Sequence, residues 1–167
     1  PGSESVVAEG PWTGSTLPEL IGRFGAELLG KANYARFGQE FPLLVKFIDA
    51  REDLSIQVHP DDELARKRHG KSGKCEMWYV LEAEPGASLL TGFSRPIAPA
   101  EYERRVADNT LTDVLNRQAI ASGDVFYLPA GRVHSIGKGS FIVEIQQSSD
   151  ITYRIYDFDR RDAAGNS

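Results

Sequence analysis

Four side chains of the sequence are of types that bind divalent metal ions. Gln57 and His59 are two positions apart in one strand-like stretch, and side chains two apart in an extended strand point to the same face. Glu76 lies near the start of a second such stretch, and His134 follows a turn rich in proline and glycine. Two imidazoles, one carboxylate and one amide oxygen suit Zn²⁺ and leave positions for water or substrate oxygens. The sequence therefore predicts a catalytic rather than a structural site for a divalent ion such as Zn²⁺.

The third histidine and the cysteine are not predicted to be ligands. His69 lies among arginine and lysine residues at the end of a predicted helix, which favours a structural or exposed role. Cys75 precedes Glu76 and so faces the other side of the strand, where we expect it to be buried. It is the only cysteine and cannot form an internal disulfide, which fits a reducing cytoplasm.

Short strands must bring these ligands together, because they are far apart along the chain. Strand-like runs are predicted at Leu43–Ile48, Leu54–Val58, Cys75–Glu82, Ala87–Thr91, Val125–Leu128, Ser135–Ile136, Phe141–Gln147 and Ile151–Tyr156. The turn residues at 84–86 separate the third run from the fourth and predict a hairpin between them. Many short strands with turns at this spacing predict a mainly β fold, either a barrel or a sandwich.

Three segments have helical patterns. Residues 16–25 form an amphipathic pattern behind a hydroxyl residue that can cap a helix. Pro60 is followed by three acidic residues and then by basic residues before Gly70, which predicts a short helix between them. A helical insertion is predicted at about residues 99–116, between strands.

Composition restricts the functional class. The chain has 167 residues, 41% of them hydrophobic and 26% charged, which predicts one globular domain over residues 1–167. A formal net charge of -5 argues against a nucleic-acid partner, and no apolar run approaches the roughly 20 residues of a membrane helix. The chain begins with Pro1 rather than Met, and we expect both ends to be cut from a longer protein. The sequence makes no prediction of the oligomeric state.

Consecutive blocks of the sequence resemble the type I mannose-6-phosphate isomerases in their order and spacing. These blocks are residues 43–50, 54–62, 73–81, 129–137 and 144–154, and the last two are similar to the shorter bacterial branch of that family. The resemblance implies a cupin-like jelly-roll β-barrel with a few short peripheral helices. Members of this branch are longer and have a second, C-terminal β-rich domain, so the resemblance also implies that this chain is a fragment.

The resemblance further implies a reaction and a set of site residues. The reaction interconverts mannose 6-phosphate and fructose 6-phosphate by proton transfer through a cis-enediol, with a small sugar phosphate as partner. The implied zinc ligands are Gln57, His59, Glu76 and His134. Arg154 matches the active-site arginine of the family, Lys74 and Glu144 match residues of the substrate pocket or of proton handling, and Ser55 matches a serine near the substrate phosphate. The candidate general base is Glu144 or a zinc-bound hydroxide, with Lys74 as its partner.

Three alternatives remain open from the residues alone. Arg154 has nearby carboxylates, Asp150 and Asp157, with which a purely structural arginine would pair. Two histidines and Glu76 also make the ligand set of an iron cupin dioxygenase, if Gln57 turns away. A non-catalytic metal-binding or sugar-binding cupin is the third alternative, with a carbohydrate platform formed by Trp78, Tyr79 and Tyr153.

Overall fold

The computed structural model describes residues 4–158 and Arg160, and strands make up most of its regular structure. Contacts between residues divide the chain into two compact units, Pro1–Leu43 and Leu44–Ser167. Helices occupy the first unit, and its last residue, Leu43, begins the first strand. That residues 1–167 act as one metal-binding domain stays a prediction.

The first unit contains three short helices, namely α1 (Leu17–Phe24), α2 (Ala26–Leu29) and α3 (Lys31–Phe37). The helix predicted at residues 16–25 is confirmed as α1. Thr16 caps it, because its hydroxyl accepts from the backbone N–H of Glu19 while the Glu19 carboxylate accepts from the backbone N–H of Thr16. Among the described residues, no helix combines the length and the apolar character needed to cross a membrane.

The second unit contains two sheets. Its elements are β1 (Leu43–Ala50), β2 (Ile56–Val58), α4 (Asp62–His69), β3 (Glu76–Ala83), β4 (Ser88–Phe93), α5 (Pro99–Ala107), β5 (Leu115–Ala119), β6 (Val125–Leu128), β7 (His134–Ile136), β8 (Ser140–Gln147) and β9 (Tyr153–Tyr156). The four-stranded sheet has the order β1-β8-β3-β6, and the five-stranded sheet has the order β5-β4-β7-β2-β9. Every predicted strand run overlaps one of these strands, and the predicted mainly β class is confirmed.

The hairpin predicted between β3 and β4 is wrong. Strand β3 lies between β8 and β6 in one sheet, whereas β4 lies between β5 and β7 in the other. The turn at Glu84 therefore carries the chain from one sheet to the other. A hydrogen bond from the Ala87 N–H to the Glu84 carbonyl closes this turn. Both edges of β3 pair with strands that come much later in the chain, and a local turn signal contains no information about such distant partners.

The segment predicted as a helical insertion contains both helix and strand. Helix α5 is followed by a 3₁₀ helix at Leu111–Val114, and the chain enters β5 at Leu115. Leu115 pairs with Phe93 of β4 and is buried in an apolar cluster. Pairing and burial against β4 place residues 115 and 116 in a strand, where the sequence pattern had predicted helix.

The space between the two sheets forms the main core. In β3 the residues Glu76, Trp78 and Val80 face this space, while Met77 and Tyr79 face outward. The apolar residues buried here are Ala50, Trp78, Val80, Leu89, Leu128, Ile136 and Ile142. Alternation along the strands thus fills the interior, as the period of two predicts.

The outer faces of the two sheets differ. A second apolar cluster, which includes Ile56, Leu90, Leu111, Val114, Leu115 and Val133, joins the five-stranded sheet to the 3₁₀ helix, and Tyr102 and Val106 of α5 pack against it. On the four-stranded sheet, outward residues such as Phe47 and Tyr127 are exposed instead, at 70% and 62% of their surface. The segment around residues 99–114 therefore contributes a second core on one side of the molecule.

Candidate metal centre

Three of the four predicted ligands meet in the interior. The ligand atoms of His59, Glu76 and His134 all lie within 4.8 Å of one another. His59 Nε2 is 3.0 Å from Glu76 Oε1, and His134 Nε2 is 3.6 Å from Glu76 Oε2. Each of the three residues is no more than 3% exposed. Three residues that are far apart in the sequence thus form one buried cluster of metal-ligating groups.

Strand ends position these three side chains. His59 follows β2, Glu76 is the first residue of β3, and His134 is the first residue of β7. Gly131 makes the turn before His134 with a φ of +81°, a conformation that favours glycine. Its N–H donates to the carbonyl of His59 at 2.8 Å, which ties the turn of one histidine to the strand end of the other.

Both imidazoles are held by backbone carbonyls. Nδ1 of His59 is 3.1 Å from the Ile151 carbonyl, and Nδ1 of His134 is 2.8 Å from the Arg132 carbonyl. A carbonyl oxygen only accepts hydrogen bonds, so we assign the proton of each neutral ring to Nδ1. Each Nε2 then presents a lone pair toward Glu76, which is the orientation that a metal ligand needs.

Three buried atoms of this cluster have no hydrogen-bond partner among the described residues. They are Nε2 of His59, Nε2 of His134 and Oε1 of Glu76. Leaving a buried polar atom without a partner costs about 1–3 kcal/mol, and although the Lys74 ammonium is 2.9 Å from Oε1 of Glu76, the two imidazole nitrogens still need a physical reason. All three have a lone pair to offer, and two nitrogen atoms with one carboxylate oxygen are donors that a divalent ion binds. The residues therefore fit a metal ion.

The protonation states agree with metal binding. Burial lowers the pKa of His134 to about 4, although the negative charge of Glu76 opposes that shift. Burial by itself would raise the pKa of Glu76, but close contacts from His59 and Lys74, and the charges of His134 and Lys74, outweigh it and lower this pKa to about 2. At neutral pH, His134 is therefore neutral and Glu76 is ionised, the forms that bind a metal.

Gln57 lies beside this cluster in the sheet. It is directly opposite His134 in the pairing of β2 with β7, and opposite Arg154 in the pairing of β2 with β9. Directly opposite residues of neighbouring strands share one face of a sheet. Gln57, His134 and Arg154 therefore lie in one row on the face that carries the histidine, and Gln57 stays a predicted ligand.

Lys74 is a buried cation next to Glu76. Its side-chain nitrogen is 2.9 Å from Glu76 Oε1, and the residue is 5% exposed. Gly73 allows the loop before it to lie against the start of α4, because a Cβ at this position would be 2.4 Å from the carbonyl carbon of Asp61. The Lys74 N–H also donates to the carbonyl of Pro60 at 3.0 Å, which fixes the backbone at this position.

Glu144 is the second buried carboxylate of the site. It is 3% exposed, and its Oε1 accepts from Lys46 at 2.8 Å while its Oε2 accepts from the indole N–H of Trp78 at 3.2 Å. Lys46 also donates to Gln146 Oε1 at 2.7 Å. Sequence reasoning missed Lys46 and Gln146 as neighbours of the site. A lysine within the apolar run 43–48, and a glutamine two residues after Glu144, were the available signals.

The side chain of Arg154 contacts Ser55. A purely structural arginine would pair with Asp150 or Asp157 instead. Arg154 is exposed, and its Nε donates to the hydroxyl of the buried Ser55 at 3.0 Å. Asp150 pairs with Lys71 at 2.9 Å, and Asp157 pairs with Arg160. Among the described residues, neither carboxylate forms an ion pair with Arg154, so the alternative of a structural pair with Asp150 or Asp157 receives no support.

The remaining histidine and the cysteine lie outside the cluster. His69 ends α4, and its Nε2 is 2.7 Å from the hydroxyl of Tyr153. Cys75 is partly buried, and its sulfur accepts from the N–H of Ala130 at 3.4 Å. Neither belongs to the group of residues that converge on Glu76.

Comparison with known proteins finds one family. The family model described as "Phosphomannose isomerase type I, catalytic domain" matches residues 1–94. The mannose-6-phosphate isomerase of Streptococcus mutans is 42% identical over 165 residues, and mannose-6-phosphate isomerase ManA of Bacillus subtilis is 41% identical over 163 residues. These alignments cover 99% and 97% of this chain but 50% of each relative, so the chain spans about half their length.

Solved structures give the same result for the fold. The mannose 6-phosphate isomerase of Bacillus subtilis superposes with a TM-score of 0.86 at 38% identity, covering 98% of this chain and 50% of that one. A putative mannosephosphate isomerase from Archaeoglobus fulgidus gives a TM-score of 0.77 at 26% identity, covering 87% of this chain and 47% of that one. The cupin-like jelly-roll prediction is confirmed by this match. This chain belongs to the type I phosphomannose isomerase catalytic-domain family.

Proposed function

We propose that the protein containing this chain is a zinc-dependent isomerase that interconverts mannose 6-phosphate and fructose 6-phosphate. The observation that carries the proposal is the buried cluster of His59, Glu76 and His134, in which the Nε2 atoms of both histidines have no hydrogen-bond partner in the described part of the chain. Relatives from Streptococcus mutans and Bacillus subtilis have mannose-6-phosphate isomerase as their names. A cytoplasmic location is part of the proposal, because the sole cysteine, Cys75, cannot form an internal disulfide.

Two histidines and one carboxylate would hold the metal, with Gln57 as the fourth ligand. A bound zinc ion would supply Lewis acidity, which polarises a substrate carbonyl and makes the neighbouring C–H more acidic. In a neutral ring, the backbone carbonyls of Ile151 and Arg132 hold the proton at Nδ1 and leave Nε2 free to bind a metal. The protein thereby fixes two ligands in their binding form before any metal arrives, which lowers the cost of binding.

Proton transfer between C1 and C2 through a cis-enediol requires a base, and Glu144 is our candidate. Both of its oxygens accept hydrogen bonds, one from Lys46 and one from Trp78. Each oxygen has a second lone pair, so Glu144 can take a substrate proton while both donors stay in place. Lys74 is the neighbouring acid, and its buried ammonium group can donate to a substrate oxygen that gains negative charge.

Arg154 and Ser55 form the proposed contact with substrate. The guanidinium of Arg154 is always charged, and its Nε contact with Ser55 sets its orientation. Its terminal amino groups can then donate to the substrate phosphate or to the developing oxyanion. Because Arg154 is exposed, substrate can reach this guanidinium from solvent without a rearrangement of the core.

A coupled assay tests the proposal directly. Purified protein is incubated with mannose 6-phosphate, and the fructose 6-phosphate formed is measured before chelation, after chelation and after zinc is restored. We expect activity that chelation abolishes and zinc restores, with about one zinc per chain by metal analysis. Arg154→Ala should keep the zinc and lose most of the turnover. Full activity in metal-free protein would refute the proposal.

The two rival functions differ from this one in measurable ways. An iron dioxygenase would use the same two histidines and Glu76, and iron rather than zinc in protein purified without added metal would favour it. A carbohydrate platform receives little support, because Trp78 is fully buried, Tyr79 faces the opposite side of β3, and Tyr153 contacts His69. These three aromatic rings do not present one common surface.

A further inference from the structure

We propose that Trp78 is a positioning residue that orients the carboxylates of Glu76 and Glu144 through a single shared N–H group. This inference rests on the metal centre proposed above. Trp78 contributes to the site through these two acids, and no contact of its own with metal or substrate is required. The indole thus has a second role besides filling the core.

Strand geometry creates the shared contact. Trp78 is two residues after Glu76 in β3, so both side chains face the interior, and Glu144 of β8 lies directly opposite Trp78 in the β3–β8 pairing. The indole Nε1 is 3.1 Å from Glu76 Oε2 and 3.2 Å from Glu144 Oε2. One donor therefore lies between two buried carboxylates, whose like charges would otherwise face each other without any hydrogen atom between them.

The contact determines how the Glu76 carboxylate is rotated relative to the two imidazoles. The indole holds Oε2, and Oε1 then faces Nε2 of His59 at 3.0 Å without a hydrogen bond. If the indole N–H were absent, Oε2 would lose its donor, and the ion pair between Oε1 and Lys74 at 2.9 Å would be left to set the rotation of the carboxylate. Trp78 therefore fixes the rotation of the Glu76 carboxylate, with Oε1 toward Nε2 of His59 and Oε2 toward Nε2 of His134.

A purely structural tryptophan would show a different pattern. Its ring would pack in the core, as that of Trp78 does in the cluster that includes Val80 and Ile142, and its N–H would find one acceptor. The indole N–H of Trp78 instead contacts both buried carboxylates of the site, and its ring edge meets the ring of His134 at a centroid distance of 5.4 Å. The polar side of the ring is directed entirely at the site.

The test removes the N–H without removing the ring. Trp78→Phe deletes the donor, and replacement of Trp78 by benzothienylalanine, whose sulfur stands where the N–H was, deletes it at nearly constant size. The chain has two tryptophans, so the second variant is made in a Trp12→Phe background, which also serves as its reference. Ile142→Val is the matched control, because it disturbs the same apolar cluster and removes no hydrogen bond.

The readouts are the affinity for Co²⁺, measured by chelator competition, and the visible absorption spectrum of bound Co²⁺, which reports ligand orientation. We expect both tryptophan replacements to weaken Co²⁺ binding by about 10–100-fold and to change the spectrum, while Ile142→Val retains both. If Trp78→Phe does not fold, the benzothienylalanine variant decides. Unchanged affinity and spectrum in that variant would overturn the role of Trp78 alone, whereas failure of the unmodified chain to bind Co²⁺ would overturn the metal centre itself.

Discussion

The two ends of the space between the sheets treat buried polar groups differently. Near the apolar end, the hydroxyl of Ser140 is buried and donates to the carbonyl of Gly137 at 2.7 Å. At the other end, three buried atoms of His59, Glu76 and His134 have no such partner among the described residues. The fold therefore satisfies a buried polar group where the group is structural. Two imidazole nitrogens without a partner in the described structure, beside a buried carboxylate, indicate a place for a ligand.

The same strands build both ends. Strand β3 supplies Val80 to the apolar end and Glu76 to the polar end, and β8 supplies Ile142 and Glu144 in the same way. The ligands and their neighbours thus lie on strands that the core holds rigidly, which favours precise positioning of a site. Core stability and metal affinity should therefore respond to different mutations, although the same two strands support both.

The largest effect is expected at the polar end. His134→Ala removes one of the two imidazoles and should abolish measurable metal binding, beyond the roughly 10–100-fold loss typical of groups that only support a ligand. His69→Ala is the matched control, because His69 contacts Tyr153 outside the cluster. Isothermal titration of both metal-free variants with Zn²⁺ measures the difference. If both variants bind Zn²⁺ equally well, His134 is not a metal ligand and the polar end does not form a metal site.

A core substitution should lower the free energy of unfolding and leave the metal affinity unchanged. Ile142→Ala deletes buried methyl groups at the apolar end, where Ile142 is fully buried, and should lower the free energy of unfolding by about 2–5 kcal/mol. Its affinity for Zn²⁺, measured below the onset of unfolding, should remain that of the unmodified chain. Urea unfolding of the metal-free protein and metal titration together provide the test. A large loss of affinity would show that the two ends are coupled.

The smallest effect is expected on the pH dependence of stability, through the carboxylate of Glu101. Hydrogen bonds from Arg95 and Arg105 lower the pKa of Glu101 to about 2, from an ordinary value of 4.5. A depressed carboxyl pKa stabilises the fold above the ordinary value, and this stability is lost as the pH falls from 4.5 toward 2. Glu101→Gln should therefore show a slightly weaker loss of stability over this pH range than the unmodified chain, with no change in metal binding. Unfolding curves at several pH values would reveal the difference, and identical pH profiles would show that these ion pairs contribute nothing.

Much of the fold was predictable because its signals are local. The short helix after Pro60 is confirmed as α4, where Asp61 caps the first turn and Gly70 ends the last one in the left-handed conformation. The alternation in β3 correctly placed Glu76 inside and Tyr79 outside. Caps and strand periodicity depend on neighbours within a few residues, which a sequence displays directly.

Other features depended on contacts between distant residues. The sequence by itself determined the metal-ligating residue types and which of them share a strand face, because these follow from chemistry and from the period of two. Only the tertiary structure decided that β3 pairs with β8 and β6 rather than with β4, and that the indole of Trp78 lies between Glu76 and Glu144. The physical reason is that pairing between strands some 60 residues apart maximises burial over the whole chain, and no local pattern encodes the partner.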